Sequence, residues 1–203
     1  MELPSDPLTH LPAYLLAALW IAGPVIVAGA LHIAAIRLNF FPALAKIPLD
    51  GGLTIRGRRI FGDNKTLRGL ALMIAFTMLA ATMQAWLAMH VEWARTVTPP
   101  ELLAVGPFTW GALLGLGYVL GELPNSFFKR RIDIAPGAPG AGILGPVFWI
   151  VDQIDSLAGA LVAMSFVWLP PWPLILAMLI VTLIVHPLAA LGMMMLGLKE
   201  RVG

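Results

Sequence analysis

Long apolar runs separated by short, basic polar segments set the pattern of this chain. Five runs stand out: Leu11 to Ile36, Gly69 to Val91, about Leu102 to Leu120, about Gly142 to Leu169, and Pro173 to Leu198. Each is close to or longer than the ~20 residues that a helix needs to cross ~30 Å of hydrocarbon. Ten-residue segments of alternating polarity, which a membrane barrel requires, are absent. In lipid only helices and closed barrels satisfy every backbone donor and acceptor. The pattern therefore predicts an all-α fold, a polytopic membrane bundle of about five transmembrane helices. Pro24 and Pro187 predict kinks in the first and last spans, because each removes a helix hydrogen bond and crowds the preceding turn. No Lys or Arg precedes the first run, and the run is too long for a signal peptide, so it is expected to remain as a permanent span.

Composition agrees with the bilayer as solvent. Of 203 residues, 59% are hydrophobic and 12% charged, against roughly 25% charged in soluble domains. One integral membrane domain over residues 1–203 is expected, with no separate soluble unit. The absence of cysteine excludes disulfides and thiolate metal sites. Net charge is only +2, yet twelve of the thirteen Lys and Arg residues fall on one side of the predicted topology. Arg37, Lys46, Arg56, Arg58, Arg59, Lys65 and Arg68 follow the first span; Lys129, Arg130 and Arg131 follow the third; Lys199 and Arg201 end the chain. Arg95 stands opposite, with Glu2, Asp6, Glu92 and Glu101. The positive-inside rule then puts the N-terminus outside and the C-terminus in the cytoplasm. Gly111, Gly115, Gly117 and Gly121 form two small-xxx-small patterns in the third span, read as close helix packing. Trp20, Trp86, Trp93, Trp168 and Trp172 lie where an outer aromatic belt is expected.

Asp152 and Asp155 are the most informative residues. Three apart in the fourth run, they share one helix face. Carboxylates at membrane depth are costly and mark function by default. Bound Mg²⁺ would offset that cost, since it takes oxygen ligands and leaves positions for substrate phosphates; a pair balanced by Lys or Arg from a neighbouring helix is the competing reading. Two polar blocks supply groups suited to phosphate. The first runs from Asp50-Gly51-Gly52 to Arg56-Gly57-Arg58-Arg59 and Gly62-Asp63-Asn64-Lys65-Thr66-Leu67-Arg68-Gly69. It lacks the spacing of a P-loop, and its cations also suit a loop attracted to anionic headgroups. The second is Glu122-Leu123-Pro124-Asn125-Ser126-Phe127-Phe128-Lys129-Arg130-Arg131, where Pro124 is expected to break the helix and free Asn125 and Ser126 for a ligand. Lys65, Arg68, Lys129 and Arg130 are candidates for phosphate binding, against a purely topogenic role. His186, inside the last span, fits a helix partner or a functional group equally.

These blocks, in this order, resemble the CDP-archaeol synthases, with the CDP-diacylglycerol synthases as wider relatives. The likeness covers most of residues 49–199: Leu49 to Gly69, Leu123 to Arg131, Pro146 to Ser156, and Leu196-Gly197-Leu198-Lys199. Ala135-Pro136 stands where the wider relatives carry Lys-Asp, and no His-Gly-Gly precedes Asp152, which favours the archaeol-type branch. The resemblance implies transfer of the cytidylyl group of CTP to a membrane lipid phosphate, releasing pyrophosphate. It implies Mg²⁺ on Asp152 and Asp155, a catalytic role for these and Lys129, and substrate binding by Asp63, Asn64, Lys65, Thr66, Arg68, Asn125, Ser126, Lys129, Arg130 and Arg131. The lipid is an archaeal ether lipid phosphate or phosphatidate. Expected partners are CTP, the lipid phosphate and the bilayer, with no nucleic acid; the pattern sets no oligomeric state. Two rival readings fit the pattern less well. A phosphatidyltransferase needs further aspartates after Asp50-Gly51 and Arg56 that are missing here. An ion-coupled carrier could also use intramembrane acids, but no repeat or paired broken helices accompany them.

Overall fold

A computed structural model describes residues 4, 6, 7, 9–138 and 140–197; Glu2, Lys199 and Arg201, used above for orientation, lie outside them. In chain order the elements are α1 (Leu11–Arg37), α2 (Pro42–Ala45), β1 (Thr54–Ile55), β2 (Arg58–Arg59), α3 (Leu67–His90), α4 (Glu92–Val97), α5 (Pro100–Val105), α6 (Pro107–Arg131), α7 (Leu144–Ser165) and α8 (Trp172–Met195). Helices α1, α3, α7 and α8 are long and apolar enough to cross a membrane. With 25 residues α6 has the length, but its C-terminal half carries Glu122, Lys129, Arg130 and Arg131. The five long helices close a ring in which α1 packs on α3, α3 on α6, α6 on α7, α7 on α8, and α8 on α1.

Three sequence expectations need correction. The third run does not begin a span at Leu102: α5 ends at Val105, Gly106 adopts φ 85°, and Pro107 starts α6. Left-handed backbone is open to Gly without penalty, and Pro suits the first helical turn, so this pair resets the chain direction. Nor does Pro124 end the helix, because α6 continues to Arg131. Proline costs one hydrogen bond and crowds the preceding turn, but the last two turns of α6 are tied to α7 and to the β1–β2 hairpin, and those contacts outweigh the local preference. The small antiparallel hairpin was also absent from the all-α expectation. Arg56 (φ 52°) and Gly57 (φ 76°) form its two-residue turn, the positive-φ pair that suits the twist of a hairpin.

The glycine patterns in α6 divide between two neighbours. A Cβ at Gly111 would lie 2.5 Å from Met78 Cα, and one at Gly115 2.9 Å from Ile74 Cα, so this pair admits the backbone of α3. Gly117 and Gly121 instead meet Gly159 of α7, where a Cβ would lie 2.5 Å from Gly121 Cα. Small residues permit this approach, and the packing gained replaces the hydrophobic force that lipid cannot provide. An apolar core around Ile21, Trp110, Leu114, Met164, Leu174 and Met178 fills one end of the ring. Trp20 joins that end, donating from Nε1 to Thr98 Oγ1 at 2.8 Å and meeting Trp93 edge-on. The other end is polar.

Candidate active site

Because α6 runs through Pro124, Glu122, Asn125 and Lys129 follow one another at spacings of three and four and line one stripe. Asp152 and Asp155 form the facing stripe of α7. The Gly121–Gly159 contact brings the two together. Asn125 Nδ2 donates to Asp152 Oδ1 at 2.6 Å and to Asp155 Oδ2 at 2.7 Å. Lys129 Nζ donates to both oxygens of Asp152, at 2.5 and 2.6 Å, and sits 5.5 Å from the centre of the Phe148 ring. Asp155 has no Lys or Arg ion pair among the described residues; its Oδ1 accepts from Ser156 N at 2.6 Å and Ser156 Oγ at 3.2 Å. Ser156 Oγ also lies 3.0 Å from Glu122 Oε1, while Glu122 Oε2 accepts from Lys65 Nζ. One polar chain thus runs from Lys65 through Glu122, Ser156, Asp155, Asn125 and Asp152 to Lys129.

The donor set fits a hard cation. Two carboxylates meet at the Asn125 Nδ2 group, and the Asn125 Oδ1 atom is buried without a hydrogen-bond partner among the described residues. Mg²⁺ commonly takes one or two protein carboxylates and completes its shell with water and substrate phosphate. No cluster of three or more His, Asp or Glu ligands occurs among the described residues, so the protein would leave most of such a shell to substrate and water.

The first polar block is built around Asp50, whose carboxylate is fully buried. It accepts from the N–H groups of Gly52 (3.0 Å), Phe61 (3.0 Å) and Gly62 (3.1 Å), and from Arg59 Nη2 (2.5 Å). Burial by itself would raise its pKa, but the Arg59 guanidinium and these backbone donors prevail and hold the carboxyl well below the usual range. Asp50 therefore organises the loop. Arg131 pins the hairpin by donating to the carbonyls of Ile55 (2.6 Å), Arg58 (3.0 Å) and Arg59 (2.5 Å), and stacks on Phe127. Leu49 N donates to Lys65 O at 2.7 Å and Leu67 N to Ile47 O at 2.8 Å, which fixes Lys65 beside Glu122.

The structure brings together Asn125, Lys129, Asp152 and Asp155, and joins Lys65 to them through Glu122. Ser126 is buried in α6. Thr66 caps α3, accepting from Gly69 N at 3.3 Å. Arg68 donates to Phe40 O at 3.5 Å; Asn64 and Asp63 are exposed, and Asp63 pairs with Arg59. Arg130 and Arg131 turn away from the acids toward the hairpin side. His186 meets a helix partner, with Nδ1 3.2 Å from Gln153 Oε1 and Nε2 3.4 Å from Tyr118 Oη. Glu122 and Ser156 were missed as site residues. The signal for Glu122 was its place seven residues before Lys129, visible only if the helix is carried through Pro124.

A CarS-like CDP-archaeol synthase family model matches residues 11–202. The chain belongs to the CDP-archaeol synthase family. The CDP-archaeol synthase of Thermofilum pendens is 36% identical over 155 residues, taking in 75% of this chain and 64% of that enzyme. That of Methanospirillum hungatei is 33% identical over 174 residues, 80% of this chain and 94% of its own length. A solved structure of an intramembrane enzyme for archaeal membrane lipids biosynthesis shares the fold, with a TM-score of 0.58 over 87% of this chain and 94% of that chain at 23% identity. Membership in the CDP-archaeol synthase family makes the protein an integral membrane enzyme and displaces the carrier alternative.

Proposed function

We propose that this protein transfers the cytidylyl group of CTP to an archaeal ether-lipid phosphate, forming a CDP-lipid and pyrophosphate. The observation that carries this reading is the Asn125-bridged pair Asp152 and Asp155, with Lys129 beside it, at the polar end of a bundle of apolar helices. In the reaction an oxygen of the lipid phosphate attacks the α-phosphorus of CTP, the α–β anhydride bond breaks, and pyrophosphate leaves with the bridging oxygen and its electron pair. Asp152 and Asp155 hold Mg²⁺, which when bound supplies charge stabilisation to the phosphates. Asn125 keeps the two carboxylates at a fixed separation. Lys129 lies within reach of a phosphate placed at Asp152 and neutralises charge there. Lys65 is held by Glu122 at the far end of the same chain of groups, and Arg68 lies at the start of α3. No covalent intermediate on the protein is required.

The test is CTP-dependent release of pyrophosphate by the purified protein with a panel of lipid phosphates. Turnover is expected with an unsaturated archaeal ether-lipid phosphate and to be much slower with phosphatidate. No release with either would reject the reaction.

The reading also includes five spans, with α6 as the fifth, the N-terminus outside and the catalytic end facing the cytoplasm, where CTP and a membrane-held headgroup meet. Arg37 to Arg68 and Lys129 to Arg131 fall at this end, and the positive-inside rule supports the orientation. A reporter fused after Gly203 is expected to behave as cytoplasmic, and one inserted near Pro99 as external. The reverse pattern would invert the topology.

A further inference from the structure

Directly after α1 the chain turns sharply twice, at Asn39 and Phe41, with no glycine between residues 38 and 47. Asn39 has φ 51° and closes α1: its N–H donates to Ile36 O at 3.0 Å and that of Phe40 to Ala35 O at 2.9 Å. These are the two bonds of a Schellman motif, in which asparagine tolerates left-handed backbone. Phe41 also has φ 51°, a conformation that a bulky side chain adopts only at a cost. Pro42 follows at once and opens α2. The segment leaves Leu38, Phe40, Phe41 and Ile47 exposed, Leu38 by 64% and Phe41 by 58%.

Two spanning helices fix the level of this segment. Leu38 follows the last residue of α1, and at the other end the N–H of Leu67, the first residue of α3, donates to Ile47 O at 2.8 Å. Both helices are long and apolar enough to cross a membrane, so a stretch tied to the ends of both lies where hydrocarbon gives way to headgroups. Arg37 and Lys46 flank the exposed side chains, and neither enters an ion pair among the described residues. No Asp or Glu occurs from residue 37 to residue 49. Apolar side chains between cations, at this depth, suit a leaflet that carries anionic lipids. A second copy of the chain fits less well: four large side chains, each about half exposed, offer roughly 400 Å², against the ~800 Å² per partner of a stable complex.

We propose that residues 38–47 are an interfacial anchor. Leu38, Phe40, Phe41 and Ile47 embed at the boundary of headgroups and acyl chains, in the leaflet on the polar side of the bundle, and Arg37 and Lys46 meet the phosphates of anionic lipids there. The anchor also sets the height of the first polar block. Pro48 bridges Thr66, and Leu49 N donates to Lys65 O at 2.7 Å, so the strand that carries Lys65 is tied to the chain just beyond the embedded segment. The anchor needs only that the protein is integral to the membrane, and it stands or falls separately from the reaction.

The chain has no cysteine, so single-cysteine variants of the full chain can be spin-labelled without other changes. Phe40→Cys, Phe41→Cys and Ile47→Cys are compared with Thr54→Cys, an exposed position in the hairpin, in vesicles of phosphatidylcholine alone or mixed with phosphatidylglycerol. The readout is the ratio of label collisions with molecular oxygen, which concentrates in the bilayer, to collisions with a water-soluble nickel chelate. That ratio should be severalfold higher at the three anchor positions than at Thr54. Phosphatidylglycerol should raise it further at Phe41, and adding Lys46→Gln should cancel the rise. Labels at Phe40 and Phe41 that meet nickel as freely as the label at Thr54 would overturn the anchor. Labels shielded from both reagents, with spin–spin broadening between chains, would assign the patch to a second copy and overturn it too. A ratio indifferent to phosphatidylglycerol would overturn the part given to Arg37 and Lys46. Where a phenylalanine variant does not fold, Ile47→Cys decides by the same ratio.

Discussion

Asp155→Asn is expected to lower Mg²⁺-dependent turnover by roughly a hundredfold or more, the scale seen when one electrostatic stabiliser is removed from an active site, while the protein remains folded. The partners of Asp155 explain the second half of that expectation. Ser156 donates to one oxygen of Asp155 and Asn125 Nδ2 to the other; in asparagine the single oxygen can keep the Ser156 contacts, and its NH2 faces Asn125, whose amide must turn to accept from it. No Lys or Arg is left stranded among the described residues, and a neutral amide is cheaper at membrane depth than a carboxylate. What the substitution removes is the negative charge that a bound cation needs. Asp152→Asn should behave differently, because Lys129 donates to both oxygens of Asp152. Breaking a fully buried ion pair costs about 3 to 5 kcal/mol; the cost here should be smaller, since the Asp152 side chain is 28% exposed. Activity should fall in both variants, with a lower unfolding temperature mainly in Asp152→Asn. The measurement is a Mg²⁺ titration of turnover beside thermal unfolding in detergent. A wild-type Mg²⁺ response in Asp155→Asn would refute the metal role.

Gly121→Leu should be strongly destabilising. A Cβ at Gly121 would lie 2.9 Å from Gly159 Cα and collide with the carbonyl oxygen of Asp155, so the obstruction is backbone on the facing helix. Overpacking a core typically costs about 1 to 3 kcal/mol when side chains can yield. Here α6 and α7 must separate, and the expected loss is about 3 kcal/mol or more. The same separation pulls Asn125 from Asp152 and Asp155, so turnover should fail along with stability. Gly29→Leu in α1 is the control, because a Cβ there meets nothing within 4 Å. Thermal unfolding should show a large drop for Gly121→Leu and little change for Gly29→Leu. Equal midpoints for the two would mean that this helix contact does not hold the site together.

The helical membrane architecture was legible in the chain itself because the bilayer imposes a simple local rule: an apolar stretch of sufficient length must form a helix. The pairing of Asp152 with Asp155 was legible for a similar reason, since helical spacing puts residues three apart on one face. The glycine spacing in α6 likewise announced close packing, though not that Gly111 and Gly115 would face α3 while Gly117 and Gly121 face α7. Pro124 marks where local reasoning failed. Its backbone preference favours a break, yet contacts to α7 and the hairpin carry the helix to Arg131 and align Glu122, Asn125 and Lys129. Reading a break there concealed Glu122 as the partner of Lys65 and of Ser156. The sorting of the basic residues was equally out of reach. Composition and position gather Lys129, Arg130 and Arg131 at one end of a helix, but charge alone does not distinguish an ion pair, a loop clamp and an unpaired guanidinium. That distinction belongs to the tertiary structure, because a side chain's electrostatic partner is chosen by distance across the fold, and Asp152 lies 23 residues from the lysine it meets.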